Sequence, residues 1–214
     1  MLRTQLFLLL AAAVLPAVAA DETVTRLGKA STVLTKLEEA GRGIPADKLA
    51  EADCIAVIPG FKKGAAVVGV GYGRGFISCR AGNGWSTPGA IALETGSLGV
   101  QLGGEEMDIV VLSLDKSRRS KLLSGRFAIG SDASAAWGNG KSTHDDPSVQ
   151  ILFYGHTKGA FAGFGLDGAT LKTDESGNKA LYGKTASNEE IISGESTPAA
   201  AQAFVAKLEG MPQR

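Results

Sequence analysis

The chain has 214 residues with 22 basic and 22 acidic side chains, so its formal net charge is zero and bulk charge predicts no nucleic-acid partner. A chain of this length builds a core without a disulfide staple, and the spacing of its two cysteines, Cys54 and Cys79, leaves a bridge and two buried thiols both open.

Residues 1–20 carry one charge, Arg3, an apolar run over 6–15, then Pro16 and Ala17-Val18-Ala19-Ala20 ahead of Asp21-Glu22. This is the layout of a cleaved secretory signal peptide, and the run is too short for the roughly 20 residues a membrane-spanning helix needs. The expectation is an exported, periplasmic protein whose mature part, 21–214, is a single domain. An oxidising compartment would permit a bridge.

In the mature part, Val24, Leu27, Ala30, Val33, Leu34 and Leu37 recur at three and four and predict a helix over 21–40, with Lys29 and Lys36 together beside the stripe. A short helix follows Ile44-Pro45. The character then changes to β: a strand over 54–58, a Pro59-Gly60 turn, and a long strand over 65–80. That strand contains Gly69, Gly71, Gly73 and Gly75 on alternate positions, which leaves one face bare. Close sheet packing is the preferred explanation over ligand contact. No Gly-x-Gly-x-x-Gly can be read there, so a dinucleotide loop is excluded. A hairpin at Ala81-Gly82-Asn83-Gly84 returns through Trp85, which is expected to cover the bare glycines.

Further strands are predicted over 90–94, 98–103 and 108–114, the last probed by its Ile-Val-Val-Leu as central. A helix over 115–123 is capped by Asp115 and stopped by Gly125. Strands resume over 127–135, 149–155 and 160–166, with a polar loop over 138–147. Ser187 with Glu190 signals a capping box, and Thr197-Pro198 opens a last helix with Ala201, Phe204, Val205 and Leu208 on one face. The fold class read from this order is α+β: a strongly twisted, mainly antiparallel, glycine-rich sheet with helices at both termini.

Catalytic patterns are absent from the sequence. Its two histidines, His144 and His156, belong to no Gly-x-Ser-x-Gly or His-Glu-x-x-His arrangement. Glu105 and Glu106 point to opposite sides if extended, and His144-Asp145-Asp146 before Pro147 reads as a turn. The chain is not expected to be an enzyme, to carry a catalytic or metal site, or to use a cofactor.

Several blocks in order resemble the SYLF domain family: Ile44-Pro45, Ile58-Pro59, the stretch from Lys63-Gly64 to Gly75, Gly84-Trp85-Ser86-Thr87-Pro88, Gly99-Val100-Gln101-Leu102-Gly103, Gly130-Ser131-Asp132-Ala133-Ser134, and Tyr154 through Gly163. The resemblance covers about residues 44–194. It implies lipid binding: eukaryotic SYLF proteins bind phosphoinositides and remodel membranes, some bind and bundle actin, and they usually carry an SH3 or FYVE domain. Bacterial relatives are exported single-domain proteins of the cell envelope. The expected function is therefore an exported lipid- or amphiphile-binding protein, membrane-associated, with a phospholipid or anionic membrane surface as partner. The alternative is a structural or protein-binding envelope module, an actin-binding-like scaffold without lipid, whose partner is an envelope protein. Neither reading specifies an oligomeric state.

A lipid binder needs apolar surface for acyl chains and cations for headgroups. The apolar candidates are the face of the first helix, or a groove of Val68, Val70, Tyr72, Phe76, Phe161 and Phe164. The cationic candidates are Lys62, Lys63, Arg74, Lys158 and a basic run containing Lys116, Arg118, Arg119, Lys121 and Arg126. Arginine suits phosphate because its fork makes two hydrogen bonds. Core packing and a solvated helix face are the competing explanations for the apolar and basic groups.

Overall fold

The structure is a computed structural model that describes residues 14–39, 44–65, 68–98, 103–137, 148–157 and 168–212. Its helices are α1 (Val14–Glu39), α2 (Ala46–Glu51), α3 (Arg119–Leu123, entered through a 3-10 turn at Lys116–Arg118), α4 (Glu175–Tyr182), α5 (Asn188–Ile192) and α6 (Ala199–Glu209). Its strands are β1 (Cys54–Ala65), β2 (Val68–Ala81), β3 (Gly84–Trp85), β4 (Gly89–Leu98), β5 (Gly103–Ser113), β6 (Arg126–Ala128), β7 (Ala135–Trp137), β8 (Ile151–Thr157) and β9 (Thr170–Thr173).

Among the described residues these nine strands form one sheet in the order β6-β9-β4-β2-β1-β5-β8-β7, with β3 added to β2. Of the strand pairs among the described residues only β7–β8 is parallel, and the sheet curls into a half-barrel with helices from both termini packed on it. This is the α+β class expected from the sequence. The 108–114 strand is internal, as its apolar run predicts, flanked by β1 and β8.

Strand periodicity divides the core in two. Cys54, Ala56, Ile58, Ile77, Ile91, Leu93, Ile109 and Val111 face the concave interior, joined by Leu122 and Leu123 of α3. The alternate positions Ile55, Val57, Phe76, Val110, Leu112 and Tyr154 face outward under α1 and α6, against Leu27, Ala30, Val33, Leu34, Phe204 and Leu208. The stripe of the first helix is thus core, and only Val24 in it is exposed.

Two expectations are corrected on β1 and β2. Pro59-Gly60 is not a turn that ends the strand. One extra residue is accommodated there against both neighbours, since Val57 pairs with Phe76 but Lys62 with Tyr72, and Ile58 with Ile109 but Phe61 with Met107. This is a bulge in a continuing strand, with Gly60 at φ 61° and its N–H donated to Asp108 Oδ1 at 2.9 Å. The bulge returns Phe61 to the interior, three residues after Ile58.

The second correction concerns what fills the glycine ladder. A Cβ added to Gly71 would stand 2.5 Å from the Phe61 ring, and one on Gly73 would stand 2.6 Å from Ile58. Phe61 and Ile58 therefore occupy the bare face, not Trp85. Trp85 lies opposite Arg80 and belongs to the outer, helix-side core, whereas the odd-numbered glycines face inward, so alternation forbids the expected contact. Trp85 instead lies under the Arg80 guanidinium, 3.9 Å from its ring centroid. The close-packing explanation of the ladder holds with a different aromatic.

Other boundaries also shift. The strand expected over 90–94 is β4, which runs on to Leu98; of the strand expected over 98–103, positions 99–102 lie outside the described residues, as do the expected strand at 160–166 and the loop at 138–147. The strand expected over 127–135 divides into β6 and β7 around a turn at Gly130. The capping box forms in full, Ser187 and Glu190 each bonding the other's backbone N–H.

Cys54 and Cys79 face each other across β1 and β2 and form a disulfide, fully buried. Breaking it with reductant is expected to lower the unfolding free energy by about 3 kcal/mol, because it constrains a loop 25 residues in length. A urea midpoint insensitive to reductant would contradict that. By the same measurement Phe61→Ala is expected to cost about 3–5 kcal/mol. Gly73→Ala is expected to cost about 1–3 kcal/mol through overpacking against Phe61 and Ile58.

Candidate functional site

Register arranges the outer face of β4, β2, β1 and β5 into rows. Ala90, Phe76, Val57 and Val110 form the row under the helices. The next row holds Ala92, Arg74, the Pro59-Gly60 bulge and Asp108. The row beyond holds Glu94, Tyr72, Lys62 and Glu106. Along α1, where the sheet emerges from cover, runs an open groove of about 1050 Å³.

Its α1 wall carries Asp21, Glu22, Arg26, Lys29 and Lys36, and its sheet wall carries Lys62, Tyr72, Arg74, Glu106 and Asp108. At its base Arg26, nine-tenths buried, donates to Glu22 Oε1 at 2.9 Å. Its Nη1 has no hydrogen-bond partner among the described residues and stands 3.8 Å from the buried Asp174 Oδ2. Arg74 approaches the same carboxylate oxygen at 3.6 Å and donates from Nε to the Tyr72 hydroxyl at 2.7 Å. That hydrogen bond, and after it the charge of Asp174, raises the Arg74 pKa above its usual value, against the opposing effect of burial. Asp174 is fixed in turn because its Oδ1 caps α4, accepting the Gly177 N–H at 3.0 Å.

The groove's charges are not equally committed. Asp108 holds the bulge, Glu22 pairs with Arg26, and Glu106 pairs with Lys62 at 3.8 Å. Lys29 and Lys36 are exposed and have no ion-pair partner among the described residues. Tyr72 is 47% exposed and Val70, two residues along the same face, 63% exposed, so apolar surface borders the cationic wall.

The candidate residues named from the sequence fall into separate places. Lys62, Arg74 and Tyr72 meet in this groove, joined by Lys29 and Lys36. Lys63 lies opposite Gly71 on the other face of the sheet. Phe76 is buried against Phe204 and lines no groove. Lys158, Phe161 and Phe164 lie outside the described residues, as do the side chains of Val68 and His156. Arg26 and Asp174 were missed, and the Glu22–Arg26 spacing of four was the one signal for the first of them.

The basic run lies elsewhere. Lys116 and Arg119 line a second, polar cleft of about 980 Å³ that also includes Asp53, Arg80 and Trp85. Arg119 donates from Nε to Asp53 Oδ2 at 2.8 Å and from Nη2 to Oδ1, a two-pronged bond to a carboxylate 1% exposed. Arg118 pairs with Asp115 and donates to the Asp132 carbonyl. Lys121 is exposed on α3. Among the described residues no group of three or more His, Cys, Asp or Glu could hold a metal ion.

The profile of Ysc84, described as a Las17-binding protein actin regulator, matches residues 94–211, more than half of the chain. SH3 domain-containing YSC84-like protein 1 of Bos taurus is 27% identical over 191 residues, covering 86% of this chain and 56% of that protein. Protein YSC84 of Saccharomyces cerevisiae is 30% identical over 176 residues, covering 78% of this chain and 37% of its own length. LAS seventeen-binding protein 3 of the same yeast is 30% identical over 164 residues, covering 72% and 36%. The chain therefore spans about half or less of the length of these relatives. No solved structure matches it. The groove's α1, β1 and β2 residues precede the matched span.

Arg119→Met is expected to lower the unfolding free energy by about 3 kcal/mol, since it leaves the buried Asp53 carboxylate uncompensated. Lys121→Met should change it by less than about 0.5 kcal/mol. Equal effects in urea denaturation would show that the Asp53 pair does not hold α3 to the sheet.

Proposed function

The chain belongs to the Ysc84 family, that of the SYLF domain, and on that premise we propose that it is a non-catalytic lipid- or amphiphile-binding protein of the bacterial cell envelope. The family is generally non-catalytic and has links to both actin regulation and lipid binding. The observation that carries the lipid reading is the groove, where Lys29 and Lys36 stand uncommitted across from Lys62 and Arg74, beside exposed Tyr72 and Val70. A phosphate-bearing headgroup suits such a wall, and an acyl chain suits the apolar margin.

Export is supported by the first twenty residues. The boundary Ala20–Asp21 falls within α1, ahead of the buried stripe from Leu27 to Leu37. No helix among the described residues is long and apolar enough to cross a membrane. In this reading, attachment comes through the groove's surface chemistry.

The second reading is a protein-binding envelope module, favoured by the family's description as Las17-binding. In that reading the groove serves a protein segment and no lipid is retained.

The separating experiment is flotation of the mature protein with phosphatidylglycerol or phosphatidylcholine vesicles, with native mass spectrometry of the purified protein. Salt-sensitive flotation with the anionic vesicles is expected. Lys29→Gln combined with Lys36→Gln should weaken it by about 2 kcal/mol, roughly thirtyfold. Lys121→Gln, distant on α3, should have no effect. No flotation with either vesicle and no retained acyl lipid would sink the lipid reading.

A further inference from the structure

The polar cleft beside Asp53 shares no lining residue with the groove. Three pieces of chain wall it: the hairpin at 81–84, the turn and helix over 116–123, and the stretch 189–197 between α5 and α6. At about 980 Å³ it falls among pockets that take small molecules, roughly 300–1,000 Å³. Part of its lining is already committed. Buried Asp53 accepts from Arg119 at both carboxylate oxygens, and Arg80 donates to the Leu49 and Ala52 carbonyls.

The groups left over are of two kinds. Trp85 lines the cleft with a side chain that is 5% exposed, and its indole Nε1 has no hydrogen-bond partner among the described residues. An indole N–H can only donate, so this buried group calls for an acceptor. Arg119 Nη1 makes no hydrogen bond among the described residues, and exposed Lys116 has no ion-pair partner among them. Against these donors stand Glu189 and Glu195, exposed and likewise without an ion-pair partner among the described residues. Formal charge in the lining cancels, with Arg80, Lys116 and Arg119 set against Asp53, Glu189 and Glu195. A multiply charged anion would meet the two glutamates and a simple cation would meet the donors, so neither suits the whole cleft.

We propose that this cleft binds a small zwitterion, with a carboxylate and an ammonium on one molecule, of amino-acid to dipeptide size. Its carboxylate is taken by the Trp85, Arg119 and Lys116 donors, a set that a planar, acceptor-only group satisfies. Its ammonium is taken by Glu189 and Glu195. The hydroxyls of Ser120, Ser193 and Thr197, also in the lining, serve the polar atoms between the two charged ends. Nothing here depends on the lipid reading, because a headgroup and this zwitterion occupy separate sites.

Calorimetry with alanine and with alanyl-alanine tests it, beside the nitrogen-15 indole signals of Trp85 and Trp137, told apart with Trp137→Phe. N-acetyl-alanyl-alanine and alanyl-alanine amide each remove one of the two charges. At least one free zwitterion is expected to bind with a Kd of about 1 mM or below, moving the Trp85 signal and leaving that of Trp137 in place. Each blocked peptide should bind at least about threefold more weakly than alanyl-alanine. Lys116→Gln should narrow the advantage over the amide, and Glu189→Gln with Glu195→Gln the advantage over the acetylated peptide, with melting temperature unchanged because all three side chains are exposed. Tighter binding of alanyl-alanine than of alanine would support a peptide end as the source, and the reverse a free amino acid. A Trp85 signal unmoved at about 10 mM of either zwitterion, or blocked peptides that bind as well as the free one, would overturn the site.

Discussion

The seating of Phe61 on the inward glycines is the contact on which the sheet's curvature depends. Without side chains at Gly71, Gly73 and Gly75, β2 comes so close to β1 that an added Cβ at Gly75 would lie 2.0 Å from the Val57 carbonyl oxygen. Such an approach is open only to glycine, and it brings the two strands into a tight coil. The cost in strand stability is offset by burying a whole phenylalanine, fully inaccessible, in the slot that results. The bulge at Pro59-Gly60 is part of the same device, since without the extra residue Phe61 would point outward. Asp108 stabilises that bulge, so the residue that fixes the sheet's inner packing also lines the groove on its outer face.

Coverage of the outer face follows from that curl. The helices bury the row of Ile55 and Leu112 and the row of Phe76, Val57 and Val110, and the strands continue past them. Polar anchors hold the C-terminal helices in place: Asn178 Oδ1 accepts the Ala90 N–H at 2.7 Å, and Asn188 Nδ2 donates to the Ala90 carbonyl at 3.2 Å, both asparagines being buried. Asn178 Nδ2 donates to Asn188 Oδ1 at 2.8 Å, closing the network. Satisfied buried amides of this kind specify one docking geometry more sharply than apolar contact does. The same helix α4 begins at Asp174, whose carboxylate gathers Arg26 and Arg74, so docking α4 also builds the base of the groove.

Much of this architecture was legible because its signals are local. The helical stripe from Leu27 to Leu37, the apolar run of β5, the hairpin at Gly82 and the Ser187–Glu190 capping box each depend on neighbours within a few residues. The misreadings arise where a distant partner decides. Pro-Gly ordinarily marks a turn, but pairing with β2 and β5 on both sides carries β1 through it as a bulge. Strand β9 is four residues long, and α4 contains Gly177 and Asn178, poor helix formers. Gly177 is needed because a Cβ there would meet that of Ala90 at 2.7 Å, and Asn178 because it bonds β4. For the site, the basic run around Arg118 and Arg119 attracted notice by density alone. Its arginines are committed to Asp53, Asp115 and the Asp132 carbonyl, while the less conspicuous Lys29 and Lys36 face the groove.

Alternation alone nevertheless contained one answer that composition obscured. The glycine-rich strands look uniform in sequence, yet parity separates their glycines into two populations. Odd positions 71, 73 and 75 on β2 face inward and are filled by Phe61, Ile58 and the β1 backbone. Gly96 on β4, with Gly64 and Gly104 in register beyond Val70, faces the other way, one row from the groove. Substitution at the first group must displace a ring or a backbone, so those glycines are dictated by the fold. At Gly96 there is open space, so the fold would accept a side chain.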